Sequence, residues 1–68
     1  MKKLNRKDYP ELDLILWDRA ERLVDPKFAF RIYEQRWRFV DQRRLNANEC
    51  ALIKALAHEY GHGQMLVA

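Results

Sequence analysis

The sequence predicts an all-α fold, a three-helix bundle with short connections, and three observations carry that reading. Apolar residues recur at three- and four-residue steps along separate stretches of the chain. Helix-start signals stand before the second and third of these stretches, at Asp25-Pro26 and at Asn46 to Glu49. Gly and Pro number only two each, so few breaks interrupt the periodicity. The predicted helices span residues 10–24, 26–44 and 47–60. A mobile basic arm at residues 1–8 precedes them, and a short apolar tail at 62–68 follows.

The chain has 68 residues, room for a single small helical domain at 1–68. A domain this small buries only about 60% of the surface its unfolded chain exposes. One core of that size supplies about 3–5 kcal/mol, so an additional staple is expected. Cys50 is the single cysteine, and no CxxC pair or Cys/His zinc-finger spacing exists. Dense aromatic packing and self-association are the staples left. No run approaches the 20 or so apolar residues of a membrane span, and no signal-peptide segment follows the basic N-terminus. A cytoplasmic protein with no membrane association is the expectation, and one free cysteine suits a reducing compartment.

Residues 1–7 are too polar to pack and are expected to be mobile. Asp8 and Glu11 have the spacing of a capping box, with Pro10 suited to the first helical turn. In the first helix Leu12, Ile15, Leu16, Ala20 and Leu23 form the core stripe. Arg19 falls within that stripe, Leu14 lies well off it, and Trp17 and Val24 stand at its edge, Trp17 at a seam. Asp25 is a favoured N-cap and Pro26 a favoured first residue, so the first helix stops and the second starts there with almost no loop.

The second helix has three surfaces. Phe30, Tyr33, Trp37 and Val40 make one apolar row, while Phe28, Ile32 and Phe39 make another, as expected of a central helix packed on two neighbours. Lys27, Arg31, Gln35, Arg38 and Gln42 make the third, a polar stripe with no acid on it. Arg36 and Arg43 lie inside the apolar arc, where a charge needs a partner. Glu49 and Asp18 are candidates for Arg36, and that structural pairing is preferred to a role for Arg36 and Trp37 in a binding surface. Asn46 and Glu49 again have capping-box spacing, and Cys50, Ile53, Leu56, Ala57 and Tyr60 form the predicted inner face of the third helix. Gly61 is a natural left-handed C-cap. The tail residues Met65, Leu66 and Val67 are expected to fold back or to meet a second chain.

Charge is unevenly spread. Residues 11–26 sum to −3 and residues 27–44 to +4, within a net charge of +3. The two segments either neutralise each other as packed neighbours or leave the basic one facing an anionic partner.

Three functional classes follow. The favoured one is a non-enzymatic protein-interaction module that homodimerises through Trp17, Phe28, Ile32 and Phe39. The alternative is a nucleic-acid-binding protein that uses Lys27, Arg31, Gln35, Arg38 and Gln42, since Arg and Gln read base edges and Lys and Arg bind phosphate. The basic arm would then reach an adjacent groove. The arrangement departs from a helix-turn-helix, whose second helix reads the groove, because the third helix is alanine-rich. The third class comes from His58-Glu59-Tyr60-Gly61-His62, which resembles the HExxH signature of zinc metalloproteases. That resemblance implies His58 and His62 as metal ligands and Glu59 as the base that activates bound water. Gly61 inside the motif departs from a continuous helix, and two histidines near a helix C-terminus are also favourable for the dipole alone. No phosphate-binding loop or serine triad occurs, and no cofactor is expected. Cys50 is expected to pack inward as a core thiol.

Overall fold

In the computed structural model, which describes residues 1–66, most regular structure lies in three α-helices: α1 at Pro10–Ile15, α2 at Pro26–Arg36 and α3 at Ala47–Tyr60. A two-residue antiparallel sheet joins β1 at Leu4–Asn5 to β2 at Leu23–Val24, with Leu4 opposite Val24 and Asn5 opposite Leu23. Single 3-10 turns occupy Arg6–Asp8, Trp37–Phe39 and Gln42–Arg44. The helical class is as predicted. The bounds of α3 are also as predicted, but the first and second helices are shorter.

The first helix stops at Ile15, not at residue 24, because two arginines remote in sequence take the carbonyls that a longer helix would use. Arg6 donates to the carbonyls of Asp13 (3.0 Å), Leu16 (2.9 Å), Arg19 (2.7 Å) and Glu21 (3.3 Å), and its Nε meets the Asp13 carboxylate at 2.6 Å. Arg36 donates to the carbonyl of Ile15 at 2.8 Å. The last carbonyls of a helix lack partners within it, and these guanidinium groups supply them. Residues 17–22 therefore run as a loop, and Ala20, Leu23 and Arg19 are exposed instead of lying in a core stripe.

Residues 4–8 of the basic arm join the fold through the same Arg6. Arg6 is 7% exposed, its backbone N–H donates to the Arg22 carbonyl, and Asn5 caps the turn that follows β1. A buried charge must be satisfied on nearly every donor, and Arg6 is.

Helix α2 starts where the sequence indicates, with Asp25 accepting from the N–H groups of Lys27 and Phe28 at 3.1 and 3.3 Å. It ends at Arg36, not at residue 44. The buried carboxylate of Glu11 accepts the Asp41 N–H at 2.9 Å, and Val40 turns to an extended conformation that buries its side chain. Arg43, placed by periodicity in an apolar arc, is exposed once the helix has ended.

The N-terminus of α1 lacks the expected capping box, since no side chain of its own caps it. Glu49 of α3 does so from across the fold. Its Oε1 accepts the Glu11 N–H at 3.1 Å, and its Oε2 accepts the Leu12 N–H at 2.9 Å and the Tyr33 hydroxyl at 2.6 Å. Glu49 is 0% exposed. Burial, then the Glu49 carboxylate, pushes the Tyr33 hydroxyl far above its usual titration range. Asn46 caps α3 by accepting the Glu49 N–H at 2.8 Å, but the Glu49 side chain does not return to its own helix end.

With Glu49 inward, the buried face of α3 is Glu49, Leu52, Leu56 and Ala57, and Cys50 is exposed, contrary to its expected core position. Leu52, Leu56 and Ala57 join Leu12, Ile15, Leu16, Val24, Ala29, Phe30, Ile32, Tyr33 and Val40 in one buried cluster. Gly61 closes α3 with φ −120°, so it is not the left-handed cap; His62 and Gly63 take positive φ. Space is what Gly61 supplies, since a Cβ there would collide with the Gln64 carbonyl and lie 2.7 Å from Phe30 Cζ. In the tail Met65 packs against the core, and Leu66 is exposed while its N–H donates to Glu34. Val67 lies outside the described residues.

Candidate protein-interaction surface

Trp17 and Phe39 come together at the end of α1. The α1 helix delivers Trp17 in the turn after Leu16, and the 3-10 turn following α2 delivers Phe39. Their ring centres are 5.4 Å apart at an interplanar angle of 86°, an edge-to-face pair. Such geometry usually occurs in cores. Here Trp17 is 59% and Phe39 54% exposed.

Arg36 organises this face. Besides the Ile15 carbonyl, its two Nη atoms reach the two Asp18 carboxylate oxygens at 2.8 and 3.0 Å, a bidentate pair. Of the two predicted partners for Arg36, Asp18 is the one engaged. The guanidinium carbon lies 4.2 Å from the Trp17 ring centre, so one group caps the helix, neutralises an acid and stacks on an aromatic. The hydrogen bond from Arg36 holds the Asp18 carboxyl down to about 2. Arg38 lies 4.9 Å over Phe39 and, among the described residues, forms no ion pair.

The other two predicted interface residues do not join this pair. Ile32 is 4% exposed and belongs to the central cluster with Leu12 and Ile15, so it is a core residue and not an interface one. The helix face that carries it is covered by the chain itself. Phe28 is half-buried beneath Arg19, whose guanidinium is 4.6 Å from the ring centre. Both line a cleft of about 320 Å³ with Lys3, Glu21, Leu23 and Asp25, whose charges balance.

The predicted donor stripe is split. Lys27, Arg31 and Gln35 remain on one exposed side of α2, and neither Lys27 nor Arg31 forms an ion pair among the described residues. Arg38 and Gln42 are exposed but lie in the 3-10 turns beyond the helix. Glu34 adds an acid to the same side, lining a shallow cleft of about 220 Å³ with Lys27, Arg31, Gln35 and Tyr60.

The HEYGH residues do not form the arrangement their resemblance implies. His58 lies on α3, but the helix ends at Tyr60, and His62 stands beyond it with φ 53°. The two imidazoles therefore do not share one helical face. Among the described residues no group of three His, Cys, Asp or Glu side chains is placed to hold a metal ion. Among those residues, too, no helix is long and apolar enough to cross a membrane.

Arg38 as a neighbour of Phe39 escaped the sequence reading because helical spacing put it on a different face. The signal that finds it is the break at Arg36, which only the remote Glu11 carboxylate reveals. No protein-family model, curated protein or solved structure matches this chain.

Proposed function

We propose that this chain is a small non-enzymatic protein-interaction module whose working surface is the Trp17–Phe39 face. One observation carries the reading: two large aromatic side chains, more than half exposed, stand edge to face on a surface already organised by Arg36. Aromatic residues and Arg are enriched at the centres of protein interfaces. A ring held in place before binding loses little further freedom on association. Self-association is the form of this reading that needs no second protein. The reading places the chain in the cytoplasm, in keeping with an exposed Cys50 thiol.

The test separates a surface that serves binding from one that serves the fold. Phe39→Ala is expected to cost about 1 kcal/mol or less in urea unfolding, the worth of one exposed aromatic pair. A loss of about 3 kcal/mol or more, the scale of a truncated core aromatic, would assign the face to stability and reject the reading. Light scattering across a concentration series then reports whether copies associate, and any association through this face should be lost in the Trp17→Ala/Phe39→Ala double variant.

A second reading, nucleic-acid binding, rests on Lys27 and Arg31, unpaired among the described residues, beside Gln35. Its measurement is binding to random-sequence duplex DNA at two salt concentrations. Low-salt binding weakened by Lys27→Glu/Arg31→Glu supports it, and no low-salt binding removes it.

A further inference from the structure

We infer that the Trp17–Phe39 face docks an acidic segment of another protein, one in which Asp or Glu flanks an apolar side chain. The inference rests on the reading above, and it names the occupant of the same face.

Charge decides the sign of the occupant. Residues 36–44 carry four arginines against one acid, Asp41. Arg36 is matched by Asp18, but Arg38 has no carboxylate among the described residues and lies against the exposed Phe39 ring. Arg43 and Arg44 have side chains 92% and 69% exposed, and their acids stand at 3.4 and 3.9 Å. The acid on the face itself, Asp18, already has both oxygens on Arg36. An apolar centre with an uncompensated cation at its edge is complementary to an apolar residue beside a carboxylate.

The same facts disfavour the other occupants. A two-fold contact between copies presents each face to its own likeness, bringing Arg38 towards a surface whose carboxylate is already taken. A guanidinium over one face of each of Trp17 and Phe39, together with their edge-to-face contact, leaves less ring surface on which a base can stack. Arg38 suits a phosphate as well as a carboxylate, so the apolar centre beside it, and not the charge, favours a peptide.

The experiment titrates the full chain with three probes: a short peptide with one Phe flanked by glutamates, the same peptide with lysines replacing the glutamates, and a single-stranded oligothymidine. The Trp17 indole N–H is followed by NMR, assigned with Trp17→Phe. The glutamate peptide is expected to shift that signal saturably at low salt, with affinity falling on added salt. Arg38→Glu and Phe39→Ala should each weaken it by about 10-fold or more. Equal affinity for the lysine peptide, or no shift from the glutamate peptide at millimolar concentration, overturns the inference. So does oligothymidine binding that displaces the peptide from Trp17. A chain that ignores the peptides but self-associates through Trp17 and Phe39 leaves the interaction-module reading standing and removes only the acidic partner. Failure of both, together with a core-sized stability loss for Phe39→Ala, removes both.

Discussion

Glu49 accepts three hydrogen bonds with no solvent contact, two of them from the backbone of a helix that has no side-chain cap of its own. Glu49→Ala would strand those donors in the interior, each at about 1–3 kcal/mol. The expected loss in urea unfolding is about 3 kcal/mol or more. Glu49→Gln keeps the size but turns an amide donor against donors, and should cost about 2 kcal/mol. Asp18 gives a prediction in pH. Its folded titration point, about 2, lies below the ordinary carboxylate value of 3.8, so the Arg36 pair favours the folded state above about pH 4. That contribution fades as pH falls through about 2. NMR titration of the Asp18 carboxyl should show the low value in the native chain and a return towards the ordinary one in Arg36→Met. The sequence made Arg36 visible as a charge in need of a partner and named both Glu49 and Asp18 as candidates for it. Only Asp18 is engaged; Glu49 it read otherwise as a local cap. Residue spacing shows which helix end an acid is near, and it does not show which neighbouring helix end lacks donors' partners.

Helix α3 was legible at both ends because Asn46 and Gly61 are local signals, although Gly61 acts through the room it leaves and not through the left-handed conformation expected. The start of α2 at Asp25-Pro26 was legible for the same reason. The ends of α1 and α2 were not, because long-range hydrogen bonds stop them, from Arg6 and Arg36 in one case and to Glu11 in the other. Apolar periodicity ran on through residues 17–24 and 37–44, and tertiary polar contacts overrode it. Arg6 is the sharpest instance, since composition placed it in a mobile arm. Arg6→Ala removes five hydrogen bonds that hold residues 13–21 to the N-terminal segment. Hydrogen exchange should then rise across residues 4–6 and 16–24 while α3 stays protected, a local opening below the global one. Unchanged protection at 16–24 would show that the loop holds itself.

At the scale of the molecule, the staple that so small a core needs is a set of buried or half-buried charged side chains, Arg6, Glu11, Arg36 and Glu49, each tying segments distant in sequence. The predicted aromatic surplus is real only at Trp17 and Phe39, since Ile32 lies in the core and Phe28 is half-covered. Of the exposed aromatic face, Trp17 and Phe39 followed from excess aromatic content, and its cationic edge at Arg38 depended on where α2 ends. The Glu49 cap also bears on the order of events during synthesis. Helix α1 has only six residues, well below the length at which an isolated helix holds in water, and its acceptor stands 38 positions downstream. A segment made well before its acceptor is thus among the last to gain its structure, and a nascent chain ending at residue 46 should show no protected amides in residues 10–15. Protection there before Glu49 has emerged would mean that α1 forms without its distant acceptor.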